Sequence, residues 1–296
     1  MISRVTSQTQ MRTAQQNLQQ NMANMSKLQE QASSLKALSR ASDDPTAAAA
    51  ALSVRSEARA VTQYSRNADN GNDWLTTLDS ALGASTDIMN RVRDLTVQGG
   101  NGALSPAAKE AIALELDGLK EDLLGVANTS YLGRTVFAGN SDSGAAFRSD
   151  YSFTGLPDSV VTRRIGAETT VRVDADGAAV FGTDDPANPS VFALIDTITS
   201  NLRDGTPVSG NLTDVDGRLN AIIGERSEVG ARQARMERAQ GTLLEQTGSL
   251  EARRSGLEDI DLAKVILDLK LQEVTYQSAL AVTARVLQPT LMDFLR

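Results

Sequence analysis

Two neighbouring carboxylates, Asp43 and Asp44, lie between Ser42 and Pro45 in a stretch that separates two long helical patterns. Acidic side chains this close could act as a general acid and base or bind a divalent cation. The same residue types also begin helices, because Ser42 or Asp43 can accept hydrogen bonds from the first free amides and proline suits the first turn. No further ligand residues accompany the pair. The pattern therefore favours a helix break over a catalytic or metal site.

A second acidic pair, Asp174 and Asp176, resembles the start of a calcium-binding loop. Such a loop requires glycine at its sixth position, where this chain has Ala179, and its fifth position is Ala178. A β-hairpin that turns at Asp176-Gly177 explains the same residues. The apolar residues that would flank this turn are Val171, Val173, Ala179 and Phe181.

The stretch Gly99-Gly100-Asn101-Gly102 could be mistaken for a loop that cradles phosphate. It follows no predicted strand, and the lysine and serine of a Walker loop are missing. A turn between antiparallel helices is the interpretation that the pattern favours. The helix after it should begin at Ser105-Pro106, a good capping sequence.

The composition excludes most enzyme classes. The chain has no histidine and no cysteine, which removes imidazole bases, thiol nucleophiles, disulfides and the commonest zinc ligands. A net charge of -8 argues against nucleic acid as the main partner. No apolar run approaches the roughly 18 residues that span a bilayer, and the start of the chain lacks a cleavable secretion signal. We therefore expect no catalysis, no cofactor, no metal site and no membrane partner.

Both ends of the chain carry an apolar stripe at helical spacing. The first stripe comprises Ala14, Leu18, Met22, Met25, Leu28, Ala32, Leu35 and Leu38. The second comprises Leu262, Val265, Leu269, Tyr276, Leu280, Thr283, Leu287 and Phe294. Two terminal seams of this kind predict one shared coiled coil. Between Val274 and Gln288 the only charged residue is Arg285, which is typical of a helix that is buried on every side.

The remaining pattern predicts a mainly α fold with an inserted β region. The expected helices cover about 4–38, 46–97 (with an interruption near Asn70 to Asn72), 106–128, 191–203 and 211–254, and the β region covers about 131–183. Helices before the insertion must pair with helices after it, which predicts an elongated molecule. The expected domains are a terminal coiled coil (1–42 and 256–296), a helical bundle (43–140 and 190–255) and an inserted β domain (141–189).

Three motifs, in this order, make the chain similar to the flagellins and flagellar hook-associated proteins. They are Ser42-Asp43-Asp44-Pro45, Arg134-Thr135-Val136-Phe137-Ala138-Gly139, and Tyr276-Gln277-Ser278-Ala279-Leu280 leading to Leu291-Met292-Asp293-Phe294-Leu295. The resemblance covers the helical parts at both ends. Lys36-Ala37 departs from the Ser-Gly step common in the family, and Ala41 replaces a frequent proline. Residues 141–189 show no resemblance to the family.

The resemblance implies a structural protein at the junction between hook and filament, outside the cell and without catalytic activity. It implies export through the flagellar type III apparatus without a cleaved signal, and self-association into a ring. The implied partners are hook-associated protein 1, flagellin and an export chaperone on the C-terminal helix. It also implies terminal helices that are disordered in the free subunit, so trypsin should cut the monomer as far as the break at Ser42 to Pro45.

The stripes identify the residues expected to line the terminal coiled coil and its subunit contacts: Leu18, Met25, Leu35, Leu269, Tyr276, Leu280 and Leu287. An ordinary two-helix seam within one monomer would show the same pattern. Two alternative functions are also compatible with the sequence. One is flagellin itself, although Asp-Asp-Ala without proline is more usual there, and the other is a cytoplasmic coiled-coil scaffold.

Overall fold

The computed structural model describes residues 7–156, 159–183 and 189–286. Its helices are α1 (Ser7–Ser34), α2 (Pro45–Gly99), α3 (Pro106–Ala127), α4 (Gly177–Phe181), α5 (Val191–Arg203), α6 (Leu212–Glu258) and α7 (Leu262–Val286). Its strands are β1 (Ser130–Tyr131), β2 (Arg134–Thr135), β3 (Thr162–Arg164) and β4 (Thr170–Arg172). The predicted fold class, mainly α with an inserted β region, is confirmed.

Two compact units divide the chain: residues 1–60 with 247–296, and residues 61–246. Helices α2 and α6 contribute residues to both units. The predicted division into a coiled coil, a bundle and a β domain remains a prediction.

In the first unit, α1 and α7 pack against each other in antiparallel directions. Gln272 of α7 donates from Nε2 to the backbone oxygen of Asn21, at 3.2 Å. An isolated antiparallel bridge joins Lys36 to Asp259 at the other end of the pair. These contacts connect residues more than 200 positions apart, so this unit joins the two ends of the sequence.

In the second unit, α2 buries residues at seven-residue intervals in two parallel series. One series is Ala68, Leu75, Leu82, Met89 and Thr96, and the other is Gly71, Leu78, Ser85, Val92 and Gly99. Helix α6 buries residues at the same interval: Val215, Ile222, Val229, Met236 and Leu243. A repeat of seven on both helices is the pattern of coiled-coil packing.

Helix α2 continues without interruption through Asn70 to Asn72, so the predicted break there is wrong. The glycine between the two asparagines allows close packing. A Cβ atom on Gly71 would lie 2.5 Å from Cε of Met236 and 3.4 Å from Cγ1 of Val173. Glycine at this point therefore admits neighbouring side chains and does not end the helix.

The β region is built around phenylalanines. Phe137, Phe147, Phe181 and Phe192 are fully buried, and the ring centroids of Phe147 lie 5.6 Å from Phe181 and 5.3 Å from Phe192. Edge-to-face contacts of this kind add to the burial of the rings. Because Phe192 belongs to α5, the β region and α5 share one core.

The strands of the β region are shorter than the alternating pattern predicts. β1 pairs with β2 and β3 pairs with β4, each in a two-stranded antiparallel sheet. Leu132 and Gly133 connect β1 to β2, and both have positive φ, at 50° and 79°. This is the conformation of a tight turn that matches the twist of a hairpin.

The predicted hairpin at Asp176-Gly177 is wrong. Asp176 instead caps α4, and its side chain accepts from the amide of Ala178 at 2.9 Å. The amide of Gly177 donates to the backbone oxygen of Phe137, at 3.0 Å. Aspartate before glycine suits both a turn and a helix start, and this tertiary hydrogen bond fits the helix start.

Candidate assembly surface

The break between α1 and α2 is made by two different carboxylates. Asp44 is the residue that caps α2, since its Oδ1 accepts from the amides of Thr46 and Ala47 at 3.0 and 2.9 Å. Asp43 accepts from the amide of Arg40 at 3.0 Å and so closes the turn before the cap. The expectation that Ser42 or Asp43 caps the helix is therefore wrong by one or two positions, whereas Pro45 occupies the first turn as predicted.

Helix α1 ends at Ser34, four residues before the predicted end at Leu38. Leu35 has a φ of 57°, and its amide donates to the backbone oxygen of Gln31 at 2.9 Å. A residue with positive φ directly after a helix closes the last turn, a position that glycine usually occupies. Leu35 thus leaves the line of the stripe, and its side chain is 54% exposed.

Four of the expected interface residues lie in the α1–α7 seam. Leu18, Met25, Leu269 and Tyr276 are all half-buried. The Asn21–Gln272 and Lys36–Asp259 contacts set a register that brings Leu18 to about the level of Tyr276 and Met25 to about the level of Leu269. The structure therefore brings these four together, as a two-helix coiled coil requires.

The other expected interface residues are placed differently. Leu280 lies on α7 and remains 43% exposed. Leu287 lies outside the described residues. Subunit contacts by any of the seven residues remain a prediction.

Helix α7 also presents apolar side chains that the sequence stripe did not include. Ile266, Leu267, Leu271, Val274 and Val282 are all exposed. Leu267, Leu271 and Val274 recur at steps of four and three residues, so they share one face of the helix. Contiguous apolar surface of this kind is characteristic of a contact site. For Val274 and Val282 the signal in the sequence was the lack of charge between Val274 and Gln288, whereas Ile266, Leu267 and Leu271 lie among four charged residues.

Asp174, an acidic residue that resembled a calcium ligand in the sequence, forms hydrogen bonds within the fold. Asp174 is buried, and its Oδ1 accepts from the amide of Val161 and from Nε of Arg172, both at 2.9 Å. Within the described ranges, no group of three or more acidic side chains is arranged to hold a metal ion. Among the helices of those ranges, none has an apolar stretch long enough to cross a lipid bilayer.

The carboxylate of Glu225, on α6 in the second unit, has a perturbed pKa. Burial raises the pKa of Glu225 above its usual range, although Nη2 of Arg232 lies 3.2 Å from its Oε1 and opposes the shift. Glu228 and Arg172 act on it in opposite directions from farther away. No feature of the sequence pattern singled out Glu225, because it lies among many alternating charges on α6.

Comparisons with known proteins identify relatives of both ends of the chain. Residues 5–142 match the family model of the bacterial flagellin N-terminal helical region, and residues 212–295 match that of the C-terminal helical region. Together these matches cover well over half of the chain.

Three relatives illustrate the range of the similarity. The chain is 26% identical to the flagellar filament 33 kDa core protein of Treponema phagedenis, over 94% of this chain and 93% of that protein. It is also 26% identical to flagellar hook-associated protein 3 of Salmonella typhimurium, over 88% of this chain and 89% of that protein. Its fold is similar to that of flagellar hook-associated protein 3 from Legionella pneumophila. The TM-score is 0.61 at 15% identity, over 69% of this chain and 98% of that one.

Proposed function

Because the chain belongs to the flagellin family, we propose that it is a structural component of the bacterial flagellum that forms the junction between hook and filament. The observation that carries the proposal is the near full-length match to flagellar hook-associated protein 3 of Salmonella typhimurium. The similarity to the Legionella pneumophila structure supports the same fold. The protein would act by packing against its neighbours, without chemistry.

The second candidate is flagellin, the bulk subunit of the filament. The match to the Treponema phagedenis filament core protein has the same identity and covers slightly more of the chain. Residue 45 favours the junction protein, because Pro45 follows the acidic pair where flagellins more often have alanine. In the structure Pro45 is the first residue of α2.

The proposed partners follow from the position in the axial structure. We expect the chain to contact hook-associated protein 1 on one side and flagellin on the other, and to form a ring of its own copies. An export chaperone would hold the apolar C-terminal helix beforehand, and the chain would leave the cell through the flagellar type III apparatus. Leu271 and Val274 are exposed on α7, and a bound chaperone would shield these apolar side chains from water before assembly.

The interface proposal assigns different roles to the stripe residues. Leu18, Met25, Leu269 and Tyr276 would hold α1 and α7 together within one subunit, since they are half-buried in that seam. Leu280 and the exposed face of α7 would make the contacts between subunits. Leu35 and Leu287 remain part of the proposed interface.

The proposed domain boundaries can be tested on the free subunit. If the terminal helices become ordered only on assembly, trypsin should cut after Arg12 and Lys27 in the soluble monomer and leave the bundle intact. Protection of both sites in the monomer would contradict this division.

Deletion of the gene tests the function directly. The measurements are electron microscopy of hooks in the deletion strain and an assay of flagellin in the medium. Complete hooks without filaments, with unpolymerised flagellin released outside, would establish the junction role. Loss of filaments with no flagellin in the medium would indicate flagellin itself, and normal flagella would indicate a coiled-coil scaffold.

A further inference from the structure

Glu258, the last residue of α6, is a buried carboxylate that three cations surround. Its side chain is only 5% exposed. Nε of Arg55 lies 2.5 Å from its Oε1, and Nη1 of Arg254 lies 3.1 Å from its Oε2. Nζ of Lys36 lies 3.7 Å from Oε2. These cations come from α2, from α6 and from the segment between α1 and α2, which covers residues 35–44.

The backbone fixes the same segment at the same place. The amide of Ala37 donates to the backbone oxygen of Glu258 at 2.7 Å, and Nε2 of Gln31 donates to the backbone oxygen of Ala37 at 2.9 Å. Nζ of Lys36 also donates to Oδ1 of Asp259 at 2.8 Å. Residues 39–44, in contrast, are exposed. Segment 35–44 is thus held at its first residues, next to Glu258.

A buried carboxylate is tolerated only where cations and donors compensate for the water it has lost. The hydrogen bond from Arg55 contributes most to lowering the pKa of Glu258, and this outweighs the effect of burial. Groups that face the carboxylate are Arg55 from α2, Arg254 from α6, and Lys36 from the segment, with Asp259 beside it. A lowered pKa means that Glu258 stabilises the folded form above its unfolded pKa and loses this effect only in stronger acid.

We propose that Glu258 is an electrostatic latch that anchors segment 35–44, and with it the end of α1, to α2 and α6 within the first unit. While the carboxylate is charged and paired with Arg55, the segment has one position. When the pair is broken, the segment detaches and the break between α1 and α2 becomes a hinge. This goes beyond the junction role, and it predicts that order in the free chain begins at residue 35 and not at the break at Ser42 to Pro45. Trypsin should therefore spare Lys36 and Arg40 in the wild-type free chain, and rapid cleavage there would overturn the latch whether or not the chain forms the junction.

The test is trypsin cleavage of the full-length chain after Lys36 and Arg40, combined with hydrogen exchange of the Ala37 amide. Glu258→Gln removes the charge that holds Lys36, Arg55 and Arg254, and Arg55→Met removes the cation with the shortest contact to the buried carboxylate. Each should therefore speed cleavage after Arg40 by about tenfold or more. The matched control is Glu251→Gln, which removes an exposed partner of Arg254 and should change neither measurement. Cleavage after Arg134, in the second unit, reports whether a variant has unfolded as a whole.

The double variant Arg55→Met with Glu258→Gln separates a latch from general packing. If the two side chains act as one pair, the double variant should be cut after Arg40 no faster than Glu258→Gln alone, whereas independent packing effects would add. If Glu258→Gln also speeds cleavage after Arg134, then Arg55→Met decides, because the Arg55 side chain is half exposed and its loss leaves the core intact. Unchanged cleavage after Arg40 and unchanged exchange at Ala37 in Arg55→Met would overturn the proposal.

Discussion

The backbone of Gly177 packs directly against the backbone oxygen of Phe137. Its amide donates to the backbone oxygen of Phe137 at 3.0 Å, and a Cβ atom on residue 177 would lie 2.8 Å from that same oxygen. Cε2 of Phe153 would lie 2.9 Å from the same Cβ atom. Only glycine can therefore occupy this position without moving backbone.

Gly177→Ala should accordingly destabilise the second unit by on the order of 1–3 kcal/mol. The fluorescence of Trp74, the only tryptophan of the chain and a buried one, measures this in urea denaturation. Gly118→Ala is the matched control, since nothing lies within 4 Å of its added Cβ atom. That control should stabilise α3 by about 0.5–1 kcal/mol. Equal midpoints for both variants would contradict the contact.

The α2 cap predicts a local effect in the first unit. Asp44→Ala removes the acceptor of the Thr46 and Ala47 amides and should cost about 1 kcal/mol of helix stability. Hydrogen exchange at these two amides should therefore become several-fold faster. Asp44→Asn should restore most of the protection, and Ser42→Ala should have no effect on it. Faster exchange in Ser42→Ala would return the cap to the position that the sequence first indicated.

The β1–β2 turn predicts a stabilising change. Leu132 has a φ of 50° and is 78% exposed, so it carries backbone strain without burying its side chain. Leu132→Asn should raise the stability of the second unit by roughly 0.5–1 kcal/mol, because asparagine tolerates this conformation. Leu114→Asn, at an exposed position in α3, should instead lower it by a few tenths of a kcal/mol. Urea midpoints followed by Trp74 fluorescence give both values.

Glu225 predicts a pH dependence with a defined sign. Because burial raises its pKa, the folded chain binds this proton more tightly than the unfolded chain does. Its contribution to stability is therefore largest below the unfolded pKa and decreases as the pH rises through the interval up to the folded pKa. Glu225→Gln should therefore gain stability relative to the wild type as the pH rises above the unfolded pKa of a glutamate, about 4.3. Glu228 is an exposed partner of the same Arg232, and Glu228→Gln should show no such gain in stability. A loss of stability in Glu225→Gln over this pH range would contradict the predicted direction.

Two of the leucines of α7, Leu269 and Leu280, predict separable effects on folding and assembly. Leu280→Gln should leave hydrogen exchange in the α1–α7 seam unchanged and still abolish complementation of the deletion strain, because this side chain is exposed in the subunit. Leu269→Gln should impair both, since Leu269 is half-buried in the seam. Leu114→Gln, the same change at an exposed leucine of α3 in the second unit, is the control and should complement. Full complementation by Leu280→Gln would remove Leu280 from the interface.

Local sequence signals predicted the helices well and failed where tertiary contacts decide. Helix α5 has the predicted bounds, and α3 begins after Ser105, whose hydroxyl accepts from the amide of Ala108. The interruption predicted at Asn70 to Asn72 failed because the seven-residue repeat of α2 continues through Gly71, which Met236 approaches closely. That repeat was present in the sequence and would have predicted the continuous helix.

The candidate surface remains a prediction, but the structure shows where its residues lie. Leu18, Met25, Leu269 and Tyr276 are half-buried on α1 and α7, as the helical spacing of the stripes indicates. The stripes could not place Leu35, since an early end of α1 through a positive φ depends on the contacts of Ala37 and Gln31. Capping moved from Asp43 to Asp44 for a similar reason, because Asp43 turns back to the amide of Arg40.

The pairing of α1 with α7 also sets an order of events in time. The hydrogen bond from Gln272 to Asn21 joins residues 251 positions apart and so closes a loop that contains most of the chain. Because α1 and α7 lie near opposite ends of the sequence, the end that leaves a ribosome or a narrow channel first has no partner helix until nearly the whole chain has emerged. The helices of the second unit can find each other earlier. The terminal pair is therefore the last part of the subunit to form, and the part most open to exchange of partners while it forms.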